Sequence, residues 1–405
     1  MRMRLSFSGF RGLRRLIGYS FPRCLSPESF LLCQTKPSVT LKFLSTASGN
    51  RCPTEPRVTL VSPEDIRLRI REEAEFSSSS SSEDSSSYRF VDASFSLPNS
   101  NRSPIDEFES QPRIEGSIFF DHQSIANLNY KVPSKIRNVD MKKIDAVDDE
   151  SGCYYHGLDH MVPDLKTFRG CVERLGIQRH QKLIFYDSNG IFSSPRAAWL
   201  FNIFGHPDVY VLDGGLPRWI SEKNPTKVLS LTKRVQQQGR SISSYEIDFE
   251  GSEEDFDRSI RSKRVIGFEE VLKNSKLSDK DKRIILLDAR SKERFLGNEP
   301  EPRPMIKSGK IPNSISLPFK SLLSSTNSYL PLSELDSIFL KTMHENGYGS
   351  EVWDRIKSGE REAVVSCGSG LTACVVWLAI WRLSGGRCSV RVYDESWTGF
   401  ALRTQ

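Results

Sequence analysis

The chain has 405 residues, of which 37% are hydrophobic, 27% charged and 10% aromatic. This composition is that of a globular protein and excludes a wholly disordered or fibrous chain. The longest apolar run, residues 371–381, stops at Arg382. Because a membrane-spanning helix needs about 20 apolar residues, we expect no membrane segment.

The net charge of +6 is concentrated at the amino terminus. Residues 1–50 contain eight Lys or Arg and a single acid, Glu28, whereas the rest of the chain has 49 basic and 50 acidic residues. A body with a net charge of −1 has no general electrostatic affinity for polyanions. We therefore expect no direct binding of nucleic acid.

Residues 1–56 are rich in Arg and Ser, and their apolar residues Leu5, Phe10 and Leu13 can share part of a helical face. This pattern is typical of a mitochondrial transit peptide. We predict a disordered leader, import into the mitochondrial matrix and cleavage between residues 45 and 57. A plain basic tail without targeting function is the alternative.

The eight cysteines form no CxxC pair of the kind that holds a structural zinc ion. We expect no disulfide framework, no metal site and no cofactor. Free thiols of this kind fit a reducing compartment.

Past the leader, the chain repeats itself. A helix is predicted over residues 63–76 with Ser62 as its N-cap, followed by a serine-rich loop over residues 77–87. Four landmarks then occur twice in the same order, namely a strand ending in Asp, a short Ile-rich segment, a strand leading to a helix, and a strand followed by Trp. They are residues 88–93 and 284–289, 113–120 and 310–317, 183–187 and 363–367, and 209–219 and 390–397.

This order indicates a duplicated domain. Each copy alternates strands with helices, which predicts an α/β fold with a parallel sheet covered by helices on both faces. We assign residues 57–225 to the first domain, with inserted loops over 122–157, residues 226–262 to a polar linker and residues 263–405 to the second domain.

The copies differ at the end of the central strand, where the first has Asp187 and the second Cys367. Cys367 is followed by a loop with Gly368 and Gly370 and then by a helix. Inward-facing N–H groups of such a loop and the positive end of the helix both stabilise a thiolate. Cys367 is therefore the predicted nucleophile, with a buried structural cysteine as the alternative reading.

A second cluster carries positive charge. Arg294 and Arg303 lie in a proline-containing segment, residues 290–304, which we predict to be an irregular loop after the strand that ends at Asp288. Loops at the carboxyl ends of parallel strands meet at one edge of the sheet. The two arginines can therefore approach Cys367, and paired guanidinium groups suit a carboxylate or sulfonate.

Several linked motifs resemble those of tandem-domain rhodaneses. They are CGSGLTAC at 367–374, DARS at 288–291, RFLGNEPEPR at 294–303, SGKIPNS at 308–314 and YDESW at 393–397 in the second copy, and HMVP at 160–163, FGH at 204–206 and LDGGLPRW at 212–219 in the first. In the first copy they look like the inactive partner domain of those enzymes.

The resemblance implies a sulfurtransferase that moves sulfane sulfur from 3-mercaptopyruvate or thiosulfate, through a persulfide, to cyanide, a thiol such as thioredoxin or glutathione, or a protein acceptor. Carried over by position, Cys367 is the nucleophile, and Arg294 and Arg303 bind the donor anion. The residues Gly368, Ser369, Gly370, Leu371 and Thr372 form the persulfide cradle.

The chain departs from the family where Arg113 and Lys310 stand in place of histidines. In the mercaptopyruvate enzymes the first of these histidines joins a proton relay with the loop serine, here Ser369, so the departure puts that relay in question. The small neutral loop after Cys367 resembles the mercaptopyruvate type. The segment 192–196 together with Arg113 also resembles fungal members that pass sulfur toward tRNA thiolation.

Three other classes of protein are alternatives. A cysteine phosphatase of related fold needs an arginine six residues after the cysteine, where this chain has Ala373. A thiol protease needs a histidine beside the thiol, and the second copy has only His344. A catalytically silent binding module stays open, although it leaves Cys367 and its loop unexplained.

Overall fold

The computed structural model describes residues 57–77, 87–127, 131–134, 144–147, 154–228, 245–247 and 249–404. The predicted leader and most of the serine-rich loop lie outside these residues. Within the described part of the chain, no helix combines the length and apolar character needed to cross a membrane.

The first half of the chain forms ten strands and five helices among its described residues. They are β1 (Arg57–Val61), α1 (Pro63–Ser77), β2 (Tyr88–Asp92), α2 (Pro104–Ser110), β3 (Arg113–Ile114), β4 (Ile118–Phe119), β5 (Lys131–Ser134), β6 (Ile144–Val147), β7 (Tyr154–Gly157), α3 (Leu165–Arg174), β8 (Lys182–Tyr186), α4 (Ser194–Ile203), β9 (Asp208–Leu212), α5 (Gly215–Ser221) and β10 (Thr226–Lys227).

The second half repeats much of this succession. Its elements are α6 (Glu253–Arg264), β11 (Val265–Ile266), α7 (Phe268–Ser275), β12 (Ile285–Asp288), α8 (Lys292–Leu296), β13 (Ser314–Ser316), a 3₁₀ helix (Phe319–Leu322), α9 (Leu332–Glu345), α10 (Ser350–Ser358), β14 (Ala363–Ser366), α11 (Ala373–Leu383), β15 (Val390–Tyr393) and α12 (Ser396–Thr404).

Each half folds around a five-stranded sheet, and the two sheets have the same topology. The strand order is β1-β9-β8-β2-β4 in the first and β11-β15-β14-β12-β13 in the second. Every neighbouring pair in both sheets is parallel. The duplication read from the sequence is therefore a duplication of the fold.

The central strands are apolar because both faces of each sheet are covered. All four residues of β14 are buried. On one face of the second sheet, α7 and α12 pack against Ile266, Val364 and Tyr393, while α11 packs on the other. The predicted parallel sheet with helices on both faces is confirmed.

The two domains share one apolar core. Helix α4 of the first domain packs against α11 of the second. Every residue of α4 is buried, and so are the first eight residues of α11. This packing brings residues of the first domain to the carboxyl edge of the second sheet.

Two polar stretches contain more structure than the sequence predicted. The predicted linker includes α6, which a capping box between Ser252 and Asp255 begins and which buries only Phe256 and Ile260. The inserted segment forms a small antiparallel sheet of order β5-β7-β6. The sequence of α6 shows no strong apolar period, because few of its side chains are buried. The domain boundaries stay predictions.

Candidate functional site

Cys367 lies where the sequence placed it, directly after β14, with only 2% of its surface exposed. Its N–H donates to Ser396 Oγ at 3.1 Å, and its C=O accepts the N–H of Trp397 at 3.0 Å. Ser396 has a left-handed backbone with φ +52°. The turn at the start of α12 therefore fixes the backbone of Cys367 from both sides.

Residues 367–372 form a loop that we call the cysteine loop. The matching loop of the first domain, residues 187–193, is the aspartate loop. The aspartate loop shows what a backbone of this kind can bind. The Asp187 carboxylate accepts four backbone N–H groups at 2.9–3.1 Å. The donors are Asn189, Phe192, Ser193 and Ser194. The aspartate loop is thus an anion cradle that holds its own side chain.

The cysteine loop has a related backbone shape. Gly370 has φ +80°, and Gly190 at the matching place has φ +91°. Among the described residues, no backbone N–H group of residues 368–372 donates a hydrogen bond within the chain. Since the aspartate loop directs such groups at a carboxylate, the cysteine loop can direct them at a negatively charged sulfur on Cys367.

Close neighbours leave little room for a side chain at either glycine of the cysteine loop. A Cβ on Gly370 would lie 2.9 Å from the Asp394 carbonyl oxygen, and its positive φ disfavours any side chain. A Cβ on Gly368 would lie 2.9 Å from Nη2 of Arg294. Arg294 therefore reaches the cysteine loop, as the sequence predicted.

Arg294 is held by a buried carboxylate. Its Nε and Nη2 donate to the two oxygens of Glu301 at 3.3 and 2.5 Å. Arg290 donates to the same Glu301 at 2.7 Å and also pairs with Asp288. Glu301 joins two guanidinium groups, so its position fixes that of Arg294.

The segment around Arg294 differs from the predicted irregular loop. Residues Lys292–Leu296 form one helical turn, α8, which Ser291 caps by accepting the N–H of Arg294 at 3.3 Å. The prolines begin only at position 300, past the end of this turn. Proline therefore limits the helix without excluding it.

Arg303 contacts the first domain. Its Nε and Nη2 both donate to Oδ2 of Asp159, at 3.1 and 2.9 Å. Asp159 belongs to the first domain and follows β7. Both predicted donor-binding arginines thus border the region next to the cysteine loop, each already paired with a carboxylate.

A histidine of the first domain contacts the cysteine loop, which sequence reasoning missed. Nδ1 of His160 lies 3.2 Å from Oγ of Ser369. The pKa of His160 is well below its ordinary value because burial removes the charged form from water, with His122 and Arg303 adding positive charge. His160 is therefore a neutral imidazole that can form a hydrogen bond with Ser369.

Arg113 and Lys310, the positions compared with family histidines, do not take this place. Arg113 is buried in β3 and donates to the Phe108 carbonyl at 2.8 Å. Lys310 is exposed and lies over the Phe295 ring, with Nζ 4.9 Å from its centroid. Of the residues compared here, it is His160 that contacts Ser369.

The backbone of His160 is held by an ion pair between the domains. Arg196 of α4 pairs with Asp394 at 2.7 Å, and the two side chains are 3% and 2% exposed. Arg196 also donates to the His160 carbonyl, and Asp394 accepts the N–H of Val162 at 2.6 Å. His160 itself has φ +67°, a strained value that this pair maintains.

The remaining described thiols are buried away from this role. Sγ of Cys374 lies 3.6 Å from the Gly370 carbonyl, and burial raises its pKa to about 12. Burial likewise raises the pKa of Cys171 to about 11, and that of Cys388 above its ordinary value. Cys153 lies outside the described residues.

Comparison with known proteins agrees with this architecture. The family model described as "Rhodanese-like domain" matches residues 84–222 and 270–403, once in each half of the chain. The chain belongs to this family. The second match contains Cys367, Arg294 and Arg303, and the first contains His160 and Arg196.

Relatives with both domains are similar along most of their length. "Thiosulfate/3-mercaptopyruvate sulfurtransferase 1, mitochondrial" of Arabidopsis thaliana is 30% identical over 318 residues, covering 78% of this chain and 72% of that protein. "3-mercaptopyruvate sulfurtransferase" of Mus musculus is 29% identical over 319 residues, covering 78% and 86%. The crystal structure of the Tum1 protein from Saccharomyces cerevisiae is 28% identical with a TM-score of 0.63, covering 86% of this chain and 96% of that one.

Proposed function

We propose that this protein is a sulfurtransferase in which Cys367 carries the transferred sulfur as a persulfide. The observation that carries the proposal is the cysteine loop, whose N–H groups at residues 368–372 have no acceptor among the described residues and whose counterpart in the first domain holds a carboxylate. The names of the relatives, which are thiosulfate and 3-mercaptopyruvate sulfurtransferases, support the same reaction class.

In the proposed reaction, the Cys367 thiolate attacks the sulfur of the donor. With 3-mercaptopyruvate the bond between that sulfur and carbon breaks, and its electron pair leaves with pyruvate as the enolate. The enolate takes up a proton from water, and we assign the Ser369 hydroxyl, which contacts neutral His160, to transfer it. The outer sulfur of the persulfide then passes to cyanide, to a thiol such as thioredoxin or glutathione, or to a protein acceptor.

We propose 3-mercaptopyruvate as the preferred donor, with thiosulfate as the alternative. The cysteine loop carries no basic side chain, and the arginines around it are paired with Glu301, Asp159 and Asp394. A site whose charges already balance favours a singly charged carboxylate over the doubly charged thiosulfate.

The test is a set of initial rates with each donor and with cyanide or reduced thioredoxin as acceptor. A higher kcat/KM for 3-mercaptopyruvate supports the proposed donor, and a higher value for thiosulfate rejects it. A chain that transfers sulfur from neither donor would instead be the silent binding module. Transfer to a protein acceptor but not to small thiols would favour a sulfur relay toward tRNA thiolation.

The two arginines give the first prediction. Lysine at position 294 or 303 keeps the charge but loses the forked donor geometry, so kcat/KM for 3-mercaptopyruvate should fall about 5- to 150-fold, on the order of 1–3 kcal/mol. The control is Arg258→Lys, because Arg258 pairs on an exposed face with Asp255. A kcat/KM within twofold of the wild type for both site variants would remove the arginines from donor binding.

We also propose that the chain works in the mitochondrial matrix, on the strength of the basic leader and of a relative named as mitochondrial. A fusion of residues 1–56 to a fluorescent protein is expected to enter mitochondria. A matched fusion with the leader arginines replaced by glutamine should stay in the cytosol. Cytosolic or secretory distribution of the unaltered fusion would contradict the proposed localisation.

A further inference from the structure

We propose that Asp159 competes with the donor anion for Arg303, and that this competition disfavours doubly charged donors. The inference rests on the proposed function and concerns the donor subsite of the same site. Asp159 thereby acts as a specificity-determining residue supplied by the first domain.

The contact places Asp159 on the atoms that a donor anion would use. Both Nε and Nη2 of Arg303 donate to the same oxygen, Oδ2. The next residue in the chain is His160, whose ring touches Ser369 of the cysteine loop. Asp159 is therefore the neighbour in sequence of the histidine that contacts the cysteine loop. An anion that binds Nε and Nη2 of Arg303 must take the place of the Asp159 carboxylate.

The carboxylate of Asp159 differs from the one that holds Arg294. Glu301 is 2% exposed, and both of its oxygens accept hydrogen bonds from arginines, so leaving its place would strand a buried charge. The Asp159 side chain is 42% exposed. It can turn into water at little cost, because an exposed carboxylate keeps its hydration.

These two carboxylates therefore have different effects on the donor. Glu301 is a fixed partner that orients Arg294, whereas Asp159 is a displaceable partner that must leave Arg303. After leaving, its negative charge stays close to the donor and repels it. This repulsion increases with the charge of the donor, so it acts more strongly on thiosulfate than on 3-mercaptopyruvate.

The test is Asp159→Asn in the full chain, assayed with both donors. We expect KM to fall about threefold for 3-mercaptopyruvate and about tenfold for thiosulfate, with kcat little changed. The removed carboxylate charge repels the single charge of 3-mercaptopyruvate and the two charges of thiosulfate, so its loss has the larger effect on thiosulfate. Raising the salt concentration should shrink the difference between the donors, because salt screens charges near solvent. The control Asp279→Asn removes an exposed carboxylate paired with Lys282 and should change neither KM.

A rise in KM for both donors would overturn the inference, because it would show that Asp159 supports Arg303 instead of competing for it. Equal KM values in the variant and the wild type would overturn it as well. A second measurement does not depend on turnover: calorimetric titration of pyruvate into Cys367→Ser, with and without Asp159→Asn. Tighter pyruvate binding in the double variant is expected, and weaker or equal binding contradicts the competition even if the wild type transfers no sulfur.

Discussion

Replacing Cys367 with serine is expected to abolish sulfur transfer from both donors while the fold stays intact. A serine hydroxyl cannot carry a sulfane sulfur, and the side chain is small enough to fit the same buried place. Activity should fall to the background of the assay, and the thermal unfolding midpoint should stay close to that of the wild type. The measurement combines initial rates with a melting curve.

The matched control is Cys171→Ser, since Cys171 is a buried thiol of α3 in the first domain. This variant should keep the rate of the wild type. Transfer that survives in Cys367→Ser would show that another group carries the sulfur, and the assignment of the nucleophile would have to be given up.

Breaking the ion pair between the domains should have the largest effect on stability. Arg196→Met leaves Asp394 buried without its partner, which is expected to lower the free energy of unfolding by about 3–5 kcal/mol. It also removes a hydrogen bond to the His160 carbonyl, so sulfur transfer should slow even in the folded fraction. Urea denaturation followed by tryptophan fluorescence measures the first effect, and initial rates below the transition measure the second.

The double variant Arg196→Met with Asp394→Asn separates charge from packing. It removes the uncompensated carboxylate, so part of the lost stability should return. Activity should stay low, because the His160 carbonyl still lacks its hydrogen bond from Arg196. A single variant that unfolds at the urea concentration of the wild type would show that the pair does not hold the domains together.

The duplicated fold could be predicted because its signals are local. Short apolar strands buried on both faces end in the same kinds of residue in each half, and strand β14 begins and ends where the sequence placed it. The position of Cys367 was also predictable, since the strand, the glycines and the helix around it are adjacent in the chain. Such features depend on neighbours a few residues apart.

The contact between His160 and Ser369 was not predictable in this way. His160 lies 209 positions before Ser369, and its ring reaches the loop only because α4 packs against α11. The family resemblance directed attention to Arg113 instead, because it placed the relay histidine at that position. The HMVP segment was a usable signal, as its histidine follows an acid and begins a segment of buried residues.

The pairing of the arginines could not be read from the sequence either. Spacing brought Arg294 and Arg303 to the right edge of the sheet, but their partners Glu301 and Asp159 come from seven and 144 positions away. Long charged side chains select partners by three-dimensional proximity, which composition does not encode.

The central claim, a persulfide on Cys367, is tested most directly by mass spectrometry of the intact protein and its peptides after treatment with 3-mercaptopyruvate. We expect one added sulfur atom on the peptide that contains Cys367. This sulfur atom should be lost when cyanide or reduced thioredoxin is added. Added sulfur on Cys374 or Cys388, or an unmodified protein that nevertheless turns over donor, would contradict it.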